Sequence, residues 1–182
     1  MTRPLAPSAM LDEATASPPP SRAQAEAAQR GVLLHRLFER LPGVAAEQRF
    51  ATAIRWLATS AGVVEEGLRN EIADAACAII GDPAFAELFG PSSLAEAPIA
   101  ATLDDGRVIA GTVDRLQIDA TRVRVVDFKT GMHVPASSAD VPRSHIAQMT
   151  AYADALRVIF PGRQVEAALL YTAGPRLIAL DC

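Results

Sequence analysis

The stretch Val125-Val126-Asp127-Phe128-Lys129-Thr130-Gly131 decides how this 182-residue chain is interpreted. It is typical of a short apolar β-strand that ends in a carboxylate and an amine two residues apart. Because alternate residues of a strand share a face, we expect Asp127 and Lys129 to point the same way and Phe128 to point into the opposite layer. The Thr-Gly pair that follows ends the strand, so both charged groups are expected at its carboxyl end, beside a loop.

Lys129 is the single lysine of the chain, because the other 16 of its 17 Lys and Arg residues are Arg. An ammonium group is a compact point charge whose pKa shifts readily, whereas the guanidinium of Arg is wide, planar and always protonated. The lysine therefore stands out in a sequence that otherwise uses Arg. A strand-end salt bridge between Asp127 and Lys129 is the structural alternative to a catalytic role.

Length and composition lead us to expect one cytoplasmic domain. A chain of this size can bury roughly two-thirds of its unfolded surface in a single core. No apolar run is long enough to span a membrane, and the N-terminus lacks the basic-then-apolar pattern of a secretory signal. Cys77 and Cys182 are far apart, which fits a reduced compartment and excludes a four-cysteine zinc or iron–sulfur site. The net charge of −4 argues mildly against a protein that holds nucleic acid by charge alone.

The predicted elements follow the order helices, three strands, helix, strand, strand. Residues 1–20 are rich in Ala, Ser and Pro and are expected to form a flexible arm or linker, whereas residues 21–182 form the folded domain. Apolar periodicity and turn residues predict helices over 21–41, 45–60, 64–80 and 145–160, and strands over 96–103, 108–118, 122–129, 165–172 and 176–180. These elements predict an α+β fold: a mixed central sheet, made of a three-stranded antiparallel meander, a helix and two further strands, with an N-terminal helical cap.

A second carboxylate, Asp114, interrupts the predicted strand over 108–118. A carboxylate is unfavourable in such a strand unless it is paired or bound to a metal. The turn at 119–121 brings Asp114 opposite roughly residue 126, and therefore next to Asp127. Two carboxylates this close repel each other unless a cation lies between them, so a metal explains them better than a salt bridge alone.

Two residue pairs on predicted helices complete the candidates. Gln148 and Tyr152 are four residues apart on the helix after the meander and share a face. Gly31 lies four residues before His35 in the first helix. Because Gly costs about 1 kcal/mol of helix stability against Ala, we expect another backbone or a ligand to approach closely there. Each pair alone is weak evidence, since a lone histidine is more often a surface or partly buried side chain than a ligand.

Taken together and in this order, the motifs resemble those of RecB-like nucleases, a branch of the PD-(D/E)XK superfamily. The motifs are Gly31-x-x-x-His35, Gly111-Thr112-Val113-Asp114, Asp127-Phe128-Lys129 and Gln148-x-x-x-Tyr152. The resemblance spans about residues 22–180 and implies a restriction-endonuclease-like fold. Residues 4–8, residues 31–42 and the final strands are most similar to the C-terminal nuclease domains of bacterial AddA helicase–nucleases, which implies that the chain is a fragment of a larger helicase–nuclease.

The resemblance implies a metal site. His35, Asp114 and Asp127 would bind a divalent ion, and the backbone carbonyl of Phe128 would be a further ligand. Glu96 stands where the family often carries an additional acidic residue, and its register with the meander is left open. Oxygen ligands favour Mg²⁺, and one imidazole makes Mn²⁺ a good substitute. No iron–sulfur cluster of the kind found in some relatives is expected.

The resemblance also implies the catalytic groups, which are Asp114, Asp127, Lys129, Gln148 and Tyr152. Lys129 would orient the attacking water or stabilise the pentacoordinate phosphorane. Gln148 and Tyr152 would position the loop, the DNA backbone or Lys129. Hydrolysis of a DNA phosphodiester needs a hard cation on the phosphate oxygens and a water held in line, and these groups suit that reaction.

The implied biological context is an ATP-dependent helicase–nuclease, exonucleolytic in the full complex, that repairs double-strand breaks by recombination. The chain has no Gly-x-x-x-x-Gly-Lys-Ser/Thr phosphate loop, so this fragment is not expected to bind ATP. The implied partners are DNA, helicase domains of the same polypeptide and an AddB-like subunit, with no membrane. Two alternatives stay open: a nuclease-like domain that binds DNA or a partner without cutting, and a structural interaction domain in which Asp127 and Lys129 form a salt bridge.

Overall fold

A computed structural model describes residues 21–182, so the predicted arm over residues 1–20 lies outside the described residues. The helices are α1 (Arg22–Arg40), α2 (Ala46–Thr59), α3 (Glu66–Gly81) and α4 (Arg143–Ile159), and the strands are β1 (Ser93–Thr102), β2 (Val108–Ile118), β3 (Arg122–Lys129), β4 (Gln164–Tyr171) and β5 (Arg176–Leu180). The strands form one sheet in the order β1-β2-β3-β4-β5. Only β3 and β4 pair in parallel, and α4 lies between them in the chain. The predicted α+β fold, with its meander and mixed sheet, is confirmed.

Two elements begin earlier than the sequence predicts. Strand β1 starts at Ser93 because residues 93–95 still pair with residues 115–117 of β2. Helix α4 starts at Arg143, with Pro142 at the N-cap in place of the expected Ser144. The Pro142 carbonyl already accepts hydrogen bonds from the N–H groups of His145 and Ile146, and the ring fixes a φ that suits a helix start.

Helix α1 is held in place at its start and in its middle. Ser21 and Gln24 form a capping box at its start, which satisfies two otherwise free N–H groups. At Gly31 a Cβ atom would collide with the Thr130 side chain, which comes directly after β3. The close approach expected at Gly31 is made by a threonine side chain, and not by a backbone or a ligand. It holds α1 against the carboxyl end of β3.

The sheet is covered on both faces. Helices α1 to α3 pack on one face, where Phe38 and Phe128 meet with ring centroids 4.9 Å apart. Helix α4 packs on the other face over a separate apolar cluster that includes Val123 and Val125 of β3. Phe128 thus points into the helical cap while Asp127 faces α4, as the strand alternation predicts. None of the described helices is long and apolar enough to cross a membrane.

Strands β1 and β2 change face in the middle of their pairing. Val113 packs in the α4 layer and so does Leu116, although an alternating strand would place them on opposite faces. Arg115 accordingly turns to the cap, where its guanidinium donates to the Phe38 carbonyl. The register on both sides of the break, Ala95 to Arg115 and Ala97 to Val113, places residue 96 opposite residue 114.

Glu96 carries the backbone distortion at this break. Its φ of 48° lies in the left-handed region, and among the described residues it is the one non-glycine with a positive φ. An L-residue there costs roughly 1–2 kcal/mol. The sheet therefore stores strain where the carboxylates of Glu96 and Asp114 meet.

Candidate active site

Three elements bring an imidazole and two carboxylates together. His35 of α1, Glu96 of β1 and Asp114 of β2 each offer one ligand atom, and these atoms lie within 4.8 Å of one another. His35 Nδ1 is 3.7 Å from Asp114 Oδ1. We call these three residues the acidic group. Asp127, which the sequence places among the metal ligands, is not part of it, whereas Glu96 is.

Asp114 is the most perturbed member of the acidic group. Its Oδ2 accepts the N–H of Phe128 at 2.6 Å. Burial, and after it repulsion from Asp127, raises the pKa of Asp114 to about 8. The carboxylate is therefore costly to ionise in the protein alone, and a bound cation would remove that cost. Oxygen donors joined by one imidazole are a ligand set that suits Mg²⁺ or Mn²⁺.

His35 is suited to act as a neutral ligand. Burial is the main influence and lowers the pKa of His35, although nearby Asp127 and Glu96 act in the opposite direction. Its ring lies edge-on to Phe128, with centroids 5.4 Å apart, and the Phe128 backbone acts to raise its pKa. The backbone of Phe128 thus borders the acidic group through both His35 and Asp114.

The single lysine lies in a closed ring of polar contacts beside the acidic group. Lys129 Nζ is 2.7 Å from Asp127 Oδ2 and donates to Gln148 Oε1 at 2.9 Å. Gln148 Nε2 in turn donates to Asp127 Oδ1 at 3.3 Å. We call these three residues the lysine triangle. The ion pair of the structural alternative is present, and the amide of Gln148 fixes the position of both charged partners.

Tyr152 lies deeper than Gln148 on the same face of α4. Its ring is buried in the α4 layer, and its hydroxyl donates to the Thr112 carbonyl at 3.2 Å. Thr112 is two residues before Asp114 in β2. Tyr152 therefore ties α4 to the strand that carries Asp114.

A cleft of about 560 Å³ opens over the carboxyl end of β3. His35 and Lys129 line it together with residues that the sequence analysis did not select, among them Thr130, His145 and Tyr171. His145 could have been found from its position three residues before Gln148 on the same helix. Tyr171 could have been found only with the register of β4 in hand, since it pairs with Lys129 across the parallel ladder.

The chain was compared with known proteins, and no curated protein matches it. The solved structures that resemble it include the crystal structure of SSO0001, at 15% sequence identity and a TM-score of 0.37, over 82% of this chain and 75% of that one. The family described as the PD-(D/E)XK nuclease superfamily matches residues 10–178. This match covers most of the chain, and the chain belongs to the PD-(D/E)XK nuclease superfamily.

Proposed function

We propose that this chain is a metal-dependent DNA nuclease domain that hydrolyses phosphodiester bonds. The observation that carries the proposal is the lysine triangle directly beside an acidic group whose charges favour a cation. A salt bridge alone needs Asp127 and Lys129, but it gives no reason for His35, Glu96 and Asp114 to converge at the same place.

The acidic group is the proposed metal site. His35, Glu96 and Asp114 would hold the ion, while Asp127 and the Phe128 carbonyl lie at its border. A bound Mg²⁺ or Mn²⁺ supplies a Lewis acid that polarises the phosphate and lowers the pKa of the attacking water. The inclusion of Glu96 rests on its place opposite Asp114 in the β1–β2 register.

The lysine triangle is the proposed positioning device for the reaction. Lys129 would hold the attacking water or a phosphate oxygen through its ammonium protons. Asp127 and Gln148 restrict the ammonium to one place, which removes the entropic cost of orienting a long side chain during the reaction. Tyr152 would act indirectly, because its hydrogen bond to Thr112 holds β2, and with it Asp114, at a fixed position against α4.

The biological setting we propose is the nuclease module of an AddA-type helicase–nuclease in the cytoplasm, acting in recombination repair of double-strand breaks. Its partners would be DNA, helicase domains of the same polypeptide and an AddB-like subunit. The resemblance of residues 4–8, residues 31–42 and the final strands to AddA nuclease domains supports this setting.

The test of the activity uses linear and circular DNA, both single- and double-stranded, with Mg²⁺, Mn²⁺ or EDTA. We expect cleavage with either metal and none with EDTA, and an exonuclease will spare the circles. Asp114→Ala should abolish cleavage and the metal-dependent rise in melting temperature. That rise corresponds to about 2.7 kcal/mol when the metal is at 100 times its Kd.

The matched control is Asp104→Ala, which removes an exposed aspartate from the β1–β2 turn and should cleave like the wild type. His35→Ala should weaken metal binding, with partial recovery in excess Mn²⁺. Full cleavage by the Asp114 variant, or undiminished cleavage in EDTA, would show that the proposed reaction is wrong.

A further inference from the structure

One wall of the cleft carries a histidine–tyrosine pair that has no part in the proposed reaction. His145 lies in the first turn of α4, and Tyr171 ends β4, next to β3 in the sheet. His145 Nδ1 and the Tyr171 hydroxyl oxygen are 3.3 Å apart. Both residues line the cleft together with Lys129.

The contact with Tyr171 fits a neutral His145 that carries its proton on Nε2. Burial, and after it the nearby Asp127, raises the pKa of Tyr171, so its hydroxyl keeps its proton at neutral pH. Burial, and after it the charge of Lys129, lowers the pKa of His145, with Asp127 acting in the opposite direction. A neutral imidazole that accepts from a hydroxyl at Nδ1 carries its hydrogen on Nε2. In this tautomer the pair offers a neutral N–H donor on the cleft wall.

The order of the strands sets the distance between this donor and the metal site. Asp114 lies on β2, Lys129 on β3 and Tyr171 on β4. Neighbouring strands are about 4.8 Å apart, so Tyr171 is roughly 10 Å from the strand of Asp114. Tyr171 thus lies about two strand spacings from Asp114 and one from Lys129, so a phosphate held between Asp114 and Lys129 leaves the Tyr171 side of the cleft to the neighbouring phosphate.

We propose that His145 donates from Nε2 to a non-bridging oxygen of the DNA backbone phosphate next to the one that is cut, and that Tyr171 positions its imidazole. The inference rests on the proposed function, since it assumes that DNA lies in this cleft. Contacts of this kind fix the position of a nucleic acid strand without reading its sequence.

The test measures the Kd of the 182-residue chain for a short fluorescent single-stranded oligonucleotide in Ca²⁺, over a series of salt concentrations. A gel run alongside verifies that the oligonucleotide stays intact. The variants are His145→Leu, His145→Gln and Tyr171→Phe. The control is His133→Leu, because His133 lines the same cleft but is exposed on the loop before α4.

Loss of a hydrogen bond to a charged oxygen should raise the Kd of His145→Leu about tenfold. His145→Gln restores an amide N–H and should stay within about threefold of the wild type, by the same reasoning. The slope of log Kd against log salt should not change, because a neutral donor displaces no counterion; loss of a cation would reduce it by about 0.7. The kcat at saturating DNA should stay the same, since the contact exists equally before and during the reaction.

Several results would overturn the inference. The first is wild-type affinity of His145→Leu, and the second is an equal loss of affinity in the His133→Leu control. The third is a slope of log Kd against log salt that falls by about 0.7, as it would on loss of one cation. A fall in kcat at unchanged Kd would place His145 in the chemistry instead. Tyr171→Phe removes one oxygen and keeps the shape, and we expect its Kd to rise about threefold, somewhat less than the full loss of the bond. Should the leucine variant fail to fold, as melting will show, wild-type affinity of Tyr171→Phe overturns the proposal.

The inference and the proposed function fail separately. If the variants show the expected order of Kd values but the wild-type chain does not cut DNA, the nuclease activity alone is contradicted. A chain that cuts DNA while the three variants and the control bind it as tightly as the wild type would contradict the role of His145 alone.

Discussion

The acidic group and the lysine triangle are adjacent, but their charges are balanced differently. In the triangle one ammonium faces one carboxylate at 2.7 Å, and an amide contacts both, so the charges balance without any ligand. In the acidic group, two carboxylates face a histidine whose pKa is lowered, and the pKa of Asp114 rises to about 8.

The comparison shows how the site divides its work. The triangle is organised by the fold itself, so its geometry exists before substrate or metal arrives. The acidic group is stabilised by something that the protein does not supply, and its repulsion is a source of metal affinity. Removing a charge from the lysine triangle should therefore cost the metal-free protein more stability than removing a charge from the acidic group.

The largest effect is expected for the rate when Lys129 becomes Arg. A guanidinium keeps the charge but is wider and planar, so it cannot occupy the position that Asp127 and Gln148 define for a compact ammonium. Loss of one positioned electrostatic group costs on the order of 10²–10³ in rate, and we expect Lys129→Arg to cut DNA at least about 100-fold more slowly.

Metal affinity provides the control for this variant. It should remain close to the wild type in a thermal-shift titration with Mn²⁺, because Lys129 is not in the acidic group. Wild-type turnover by Lys129→Arg would mean that the lysine triangle is only a salt bridge.

The next effect is on the stability of the metal-free protein when Asp127 is removed. Asp127→Ala leaves Lys129 largely buried, with 12% of its side chain exposed, and without its anionic partner. Breaking a buried pair in this way costs about 3 kcal/mol. Denaturant unfolding in EDTA measures the loss. Asp114→Ala is the comparison. It should lower the free energy of unfolding far less, because it also removes a carboxylate that is repelled by its acidic neighbours.

Asp114 should also give the protein a characteristic pH dependence. Its pKa is about 8 in the fold and 3.8 in the unfolded chain, so folding favours the protonated form. The stability that this proton provides is complete below pH 4 and is lost as the pH rises through 8. Asp114→Asn should therefore melt above the metal-free wild type at pH 9 and converge with it at pH 4. A difference in melting temperature that stays constant from pH 4 to pH 9 would contradict the raised pKa of Asp114. Mn²⁺ should remove the difference expected at pH 9, because it stabilises only the wild type.

Local patterns were sufficient to predict most of the fold. The bounds of β2 and β3 follow from the turn residues at 104–106 and 119–121, because hairpin geometry is determined over a few residues. Strand geometry also predicts that the side chains of Asp127 and Phe128 lie on opposite faces of the sheet. The sequence predicts too late a start for α4 because Ser144 is a good capping residue, whereas the Pro142 carbonyl already accepts the first helical hydrogen bonds.

The composition of the acidic group depends on features that no local pattern contains. Glu96 faces Asp114 because the β1–β2 register places the two residues opposite each other, at the point where both strands change face. A signal was present in β2, where the buried apolar positions shift from odd numbers, Ile109 and Val113, to the even-numbered Leu116. His35 is brought to Asp114 by tertiary packing of α1 on the sheet, which its own sequence does not specify.

The smallest effect concerns the strained backbone of Glu96. With a φ of 48°, this residue stays in the left-handed region at a cost that glycine does not have. Glu96→Gly should stabilise the metal-free protein by about 0.5–1 kcal/mol, since the relief of strain exceeds the extra entropy that glycine gives the unfolded chain. It should also weaken Mn²⁺ binding, because a carboxylate is lost.

Glu96→Gln separates these two contributions. It keeps the side chain and the strain but removes the charge, so it should lose metal affinity like the glycine variant and gain less stability. Equilibrium unfolding in EDTA and a Mn²⁺ titration of the melting temperature measure both quantities on the same samples. If Glu96→Gln binds Mn²⁺ like the wild type, Glu96 does not belong to the metal site. The strain at the break would then serve to turn Arg115 toward the cap, where it donates to the Phe38 carbonyl at the end of α1.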